Sequence, residues 1–129
     1  MATTVRFHHG LSFCTTTESG KLLCEPDEGK EYPSAPELLM ASLGSCIGSV
    51  IMYFADRHRI DYQGMEIDLD WEIAEHPHRI GEIRVQVRMP AKLTEEQQET
   101  LERVAHQCLI HNTFTHPPQI ELTLEGKPA

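Results

Sequence analysis

Two periods of apolar residues divide this chain into elements. Met65, Ile67, Leu69, Trp71 and Ile73 alternate with Glu66, Asp68, Asp70 and Glu72, and Ile83, Val85, Val87 and Met89 alternate with Arg84, Gln86 and Arg88. A period of two sends successive side chains to opposite faces, so both stretches are predicted strands. The polar face of the first is acidic and that of the second largely basic. Cross-strand pairing of those faces favours an antiparallel hairpin turning at His76-Pro77-His78, and Pro90 ends the second strand.

Elsewhere the period lengthens to that of a helix. Residues 38–55 contain no charged side chain, which predicts a helix apolar nearly all round and central to the fold. Its start is well marked: Ser34 can cap, Pro36 falls in the first turn, and Glu37 stands three residues after the cap, a capping box. Its end is expected near residues 56–59, where Arg57, His58 and Arg59 suit a helix C-terminus. A second helix starts at Thr94, with Gln97 as capping-box partner. Leu101, Val104, Ala105 and Cys108 recur at i, i+3, i+4 and i+7, placing Cys108 on its buried stripe.

The N-terminal third is rich in β-branched and aromatic residues. It predicts strands over 3–7, 11–17 and 21–24, with turns at His9-Gly10 and at Glu18-Ser19-Gly20, and then a polar loop over 26–33. A loop over 112–118 and a last strand carrying Ile120, Leu122 and Leu124 close the chain. The order is βββ-α-ββ-α-β, an α+β fold read as a single domain over residues 1–129.

Composition narrows the function classes. With 11 Lys+Arg against 20 Asp+Glu in 129 residues, the net charge of −9 repels a phosphate backbone, so no nucleic-acid partner is expected. A chain of this length buries about two-thirds of its unfolded surface, one core with little to spare, which keeps a dimer with a shared core in view. The start lacks an apolar signal core, and residues 38–55 are interrupted by glycines and serines. The expectation is therefore a cytoplasmic protein with no membrane partner, whose four cysteines are thiols.

Cys46 falls midway along the apolar helix, on the face of Leu39, Leu43 and Val50, with Gly44 and Gly48 leaving room beside it. One reading is a small residue in a tight helix crossing. The other takes Cys46 together with Cys108. Both face inward, and two thiols that meet can cycle between dithiol and disulfide, the second rescuing a sulfenic acid formed on the first. Cys14 and Cys24, on early strands, read as ordinary. Of the eight histidines, His106, His111 and His116 cluster near Cys108, and His76 and His78 form a second group. Neither group has tight zinc-site spacing, and His106 lies ~200° round a helix from Cys108, so no metal is expected. Trp71 reads as core, and Glu95, Glu96, Glu99 and Glu102 as a solvated face.

The stretch Pro33-Ser34-Ala35-Pro36-Glu37-Leu38-Leu39-Met40-Ala41-Ser42-Leu43-Gly44-Ser45-Cys46 resembles the signature helix of the OsmC/Ohr family, the osmotically inducible and organic-hydroperoxide-resistance proteins. Cys108-Leu109-Ile110-His111-Asn112-Thr113, followed by an Ile-x-Leu-x-Leu strand, is similar to that family's second cysteine segment, and the element order matches over nearly the whole chain. The resemblance implies an OsmC-like fold and an intertwined homodimer with each active site where the subunits meet. It also implies a thiol peroxidase that reduces organic hydroperoxides, with Cys46 peroxidatic, Cys108 resolving, an external dithiol as reductant, and no metal, flavin or haem.

Members of the family pair the peroxidatic cysteine with an arginine from the N-terminal strands and an acid at the start of the long helix. Here the candidates are Arg6, with Lys21 in the same region, and Glu37. Glu37 stands nine residues before Cys46 where ten is expected, Pro36 occupies that register, and Leu109 stands where many relatives have proline. The resemblance is thus to a divergent branch. The rival function is a non-enzymatic protein holding a small hydrophobic or electrophilic ligand beside Cys46, its thiols never cycling.

Overall fold

The structure is a computed structural model that describes residues 2–10, 12–24 and 31–129. Its elements run β1 (Thr4–His9), β2 (Ser12–Thr16), β3 (Lys21–Cys24), α1 (Ala35–Arg57), β4 (Glu66–Ala74), β5 (Arg79–Arg88), α2 (Glu95–Ala105) and α3 (Leu109–Thr115). The chain divides into two compact units, Met1–Ser45 with Glu66–Arg88, and Cys46–Met65 with Met89–Ala129.

In the first unit β1, β2 and β3 form an antiparallel sheet in chain order. Gly10, at φ +57°, takes the left-handed conformation in the turn after β1 that glycine adopts without steric cost. The β2–β3 turn is organised by Thr17, whose Oγ1 accepts the N–H groups of Ser19 and Gly20, each at 3.1 Å, and donates to the Gly20 carbonyl at 3.2 Å. Leu11 and most of the loop expected over 26–33 lie outside the described residues.

The capping box that opens α1 is formed. The Glu37 N–H donates to Ser34 Oγ at 3.3 Å, and the Ser34 N–H donates to Glu37 Oε1 at 3.1 Å. Further on, Gly44 lets α1 lie close against β4: a Cβ there would meet Leu69 Cδ1 at 2.8 Å. The missing side chain thus serves strand packing.

β4 and β5 pair antiparallel with Glu66 opposite Arg88, Asp68 opposite Gln86 and Asp70 opposite Arg84, the complementarity the alternating charges predicted. Arg84 reaches Asp70 at 2.7 Å and Glu82 at 2.8 Å, while Arg88 reaches Glu66 at 2.8 Å and also bonds Asp68. These bonds to Arg88 and Arg84 hold the Asp68 and Asp70 carboxyls below the usual aspartate range. Ile67, Leu69 and Trp71 are half-buried. The register shifts between Glu72 and Ile73, and Ile73 emerges 51% exposed. Gly81 falls opposite this irregularity, where a Cβ would meet that of Ala74 at 2.5 Å.

The second unit is built on the later turns of α1. Ile47, Ile51 and Ala55 are buried, as are Ile60, Leu101 and Cys108 in the same unit. The end of α1 is a Schellman motif: Arg59 is left-handed at φ +57°, the Ile60 N–H donates to the Ala55 carbonyl at 2.8 Å, and the Arg59 N–H to that of Asp56 at 3.4 Å. α2 begins with the predicted Thr94–Gln97 capping box. Leu101 is buried, and Val104 and Ala105 are half-buried, along its inner stripe.

The mixed α+β architecture stands, with four departures from the expected elements. α1 is not buried all round: Met40, Leu43, Ile47, Ile51 and Ala55 form one buried stripe, Leu39 is 37% exposed and Tyr53 67% exposed. By length and composition alone α1 could cross a bilayer, but its buried stripe is that of a core helix. Cys108 is not on the stripe of α2, because α2 ends at Ala105. Residues 112–115, expected as loop, belong to α3, whose cap is Cys108 itself. The last expected strand is unpaired. Residues 117–129 carry no regular element in the single chain, and Ile120, Leu122 and Leu124 are more than 80% exposed. A strand exists only against a partner edge, and among the described residues no strand pairs with that segment.

Candidate active site

Two cysteine segments of the second unit meet. Cys46 enters from α1, half-buried at the margin of the buried stripe, and Cys108 enters from the turn between α2 and α3 with no exposed surface. The turn is set by Cys108 acting as a helix cap. Its backbone is extended (φ −71°, ψ 140°), its carbonyl accepts the Asn112 N–H at 3.0 Å, and its Sγ accepts the His111 N–H at 3.3 Å. A capping side chain has to point back over the first turn of its helix, which fixes where this thiol lies.

The two thiols are neighbours, and their acidities move apart. Burial by itself pushes the Cys46 thiol up. The bond from the Cys108 thiol and the backbone N–H groups of Ile110 and Leu109 outweigh it, and the net direction is down. Cys108 moves up, first through burial and then because its proton is engaged by Cys46; the His111 and Ile110 N–H groups only partly oppose this. The pair is polarised. Ionisation is favoured at Cys46 and disfavoured at Cys108.

What favours the Cys46 thiolate is a thiol and two amides of the α2–α3 turn. Arg6 lies on β1 directly opposite Cys14, in the first unit. Lys21 opens β3, opposite Thr16. The Glu37 carboxylate is engaged in the Ser34 capping box, whose backbone and then side-chain bonds hold it below the usual glutamate range. Sequence reasoning missed the amide donors because it continued α2 through Cys108. The pattern of a capping-type residue followed by a short Leu-Ile-His run was the available signal.

Cys14 faces Leu23 and Cys24 faces Phe13 across the β2–β3 ladder, so these thiols point to opposite faces of the sheet. All four cysteines are free thiols. Among the described residues no three His, Cys, Asp or Glu side chains converge as a metal-holding group. His111, read from sequence as part of a histidine cluster, instead braces the turn. Its Nδ1 lies 3.1 Å from the His106 carbonyl, and its ring packs on that of His106 at 5.0 Å between centroids.

Comparison with known proteins places this geometry. No curated protein matches the sequence. Among solved structures, an OsmC-like protein from Mycoplasma pneumoniae superposes with a TM-score of 0.80 at 14% identity, covering 90% of this chain and 87% of that one. The organic hydroperoxide resistance protein OhrB of Bacillus subtilis gives 0.66 at 19% identity, covering 90% of each chain. An organic hydroperoxide resistance protein from Legionella pneumophila gives 0.67 at 19% identity, covering 88% of this chain and 89% of that one. At these identities the likeness is one of fold. The sequence model of the OsmC-like proteins matches residues 27–123, a span that contains both Cys46 and Cys108, and the chain belongs to that family.

Proposed function

We propose that the protein is a thiol peroxidase that reduces organic hydroperoxides with Cys46 as the attacking thiol and Cys108 as the resolving thiol. The observation that carries this reading is the polarised contact between them: a half-buried thiol whose ionisation is favoured, beside a fully buried thiol whose ionisation is not. A peroxide needs a thiolate to attack it, and the sulfenic acid that results needs a second thiol within reach.

The Cys46 thiolate attacks the outer peroxide oxygen and the O–O bond breaks. The alkoxide takes a proton to leave as an alcohol, and Cys46 becomes a sulfenic acid. Cys108 then gives up its proton and attacks the Cys46 sulfur, forming the disulfide as hydroxide leaves as water. An external dithiol restores both thiols through a mixed disulfide, becoming oxidised itself. Membership of the OsmC-like family, and its fold likeness to hydroperoxide resistance proteins, supports an organic hydroperoxide as substrate. No residue in this scheme calls for a metal, flavin or haem. Glu37 serves as a helix cap, and Arg6 is left without a catalytic step.

The same reading takes the active form as a cytoplasmic homodimer. Its support is the surface a single chain leaves uncovered: Tyr53 on α1 at 67% exposure, Phe7 on β1 at 65%, and the alternating Ile120, Leu122 and Leu124 beyond α3. A second copy offering strand edges would give that last segment the partner it lacks.

One equivalent of cumene hydroperoxide added to the reduced protein, followed by peptide mass spectrometry, tests the chemistry. A Cys46–Cys108 crosslink supports the scheme. Hydroperoxide left unconsumed with both thiols intact sinks it and favours a ligand-binding role for the same scaffold.

A further inference from the structure

His111 has no part in the scheme above, yet it holds the turn that carries Cys108 at both ends. Its backbone N–H donates to Cys108 Sγ at 3.3 Å. Its imidazole reaches back across the turn to the carbonyl of His106, the C-cap of α2, at 3.1 Å. A carbonyl only accepts, so Nδ1 carries the proton and donates. The ring is half-buried and rests on the His106 ring. Both contacts therefore bracket Cys108, tying residue 106 to residue 111 around a thiol that has no exposed surface. Without the ring, the His106 carbonyl loses this partner.

We propose that His111 is a positioning residue for disulfide closure, its imidazole holding the α2–α3 turn so that Cys108 Sγ stays on Cys46. The proposal rests on the thiol-pair reading and deepens it, for it concerns the step in which Cys108 attacks an oxidised Cys46. A side chain that fixes the attacking sulfur raises its effective concentration at Cys46 and leaves the first oxidation largely alone. His111 touches no reacting atom through its ring. Its effect passes through the turn.

The test uses closure by diamide, a diazene that adds to one thiol and is displaced as the hydrazine by the second, so no peroxide chemistry is required. Cys46–Cys108 closure is followed by mass spectrometry, and the dithiol–disulfide equilibrium is set against glutathione. His111→Phe keeps the ring bulk without the donor, and His111→Ala replaces it where the Phe variant does not fold. His111→Asn keeps an N–H at the Nδ1 position. The donor-less variant should close about threefold to tenfold more slowly, the span one neutral hydrogen bond supplies, and shift the equilibrium by a like factor toward the dithiol. His111→Asn should recover most of the loss, with thermal melting of the two variants alike. Wild-type closure rates in the donor-less variant overturn the proposal, as does equal impairment in His111→Asn or a wild-type protein that forms no Cys46–Cys108 disulfide with diamide. Closure by diamide with this variant order, in a protein that ignores hydroperoxides, keeps the positioning role and removes the peroxidase.

Discussion

Cys108 Sγ accepts the His111 N–H at 3.3 Å and lies beside Cys46, so one residue caps α3 and polarises the thiol on α1. The two tasks require the same placement. A sulfur that caps a helix must lie over its first turn, and here that first turn also brings the Leu109 and Ile110 amides to Cys46.

The first consequence is in pH dependence. The folded pKa of Cys46 lies below that of an ordinary thiol, so its thiolate persists to lower pH, and reactivity falls as pH drops through the lowered value. Alkylation by iodoacetamide should therefore reach half its maximal rate at a lower pH than for a free cysteine. Cys108 should alkylate last and with the opposite displacement. Cys108→Ala removes a donor and should move the Cys46 midpoint upward, whereas Cys108→Ser keeps an O–H and should move it less. Ultraviolet thiolate absorbance against pH reads both, and identical midpoints in the two variants would contradict the donor role.

Arg59 holds a left-handed backbone at the end of α1, a conformation that costs a side-chain-bearing residue about 1 kcal/mol. Arg59→Gly relieves that strain, offset in part by the greater freedom glycine gives the unfolded chain. The expected outcome is a gain of about 0.5 kcal/mol in urea unfolding. A loss would mean that the Arg59 side chain makes a stabilising contact.

At Gly81 the sign reverses. A Cβ there meets the Cβ of Ala74 at 2.5 Å, and neither atom is the end of a flexible side chain. Gly81→Ala should cost about 1–3 kcal/mol, the usual range for overpacking. Chemical denaturation checks it, and a neutral result would mean that the β4–β5 irregularity opens freely.

The elements legible in the sequence were those whose signals are local. The Ser34–Glu37 and Thr94–Gln97 boxes, the Gly10 turn and the charge-matched β4–β5 ladder all follow from neighbours along the chain or from one hairpin. The cysteine pair was legible as two inward-facing thiols, and its contact became visible only in the fold. What sequence could not supply was the break in α2 before Cys108, because the i+7 spacing from Leu101 continues smoothly through it. That one error hid α3, and with it the amides that favour the Cys46 thiolate. The pattern of Ile120, Leu122 and Leu124 does read as a strand, but alternation reports a disposition to pair and a single chain does not satisfy it.

The central claim is that Cys46 performs a catalytic cycle with Cys108. Its most direct test is turnover of cumene hydroperoxide with excess dithiothreitol, comparing the wild type with Cys46→Ser and Cys108→Ser. The account predicts many turnovers for the wild type, none above background for Cys46→Ser, and for Cys108→Ser a first reaction that stalls at the sulfenic acid unless the dithiol itself resolves it. Full activity in Cys46→Ser, or a wild type that consumes no hydroperoxide, would contradict it.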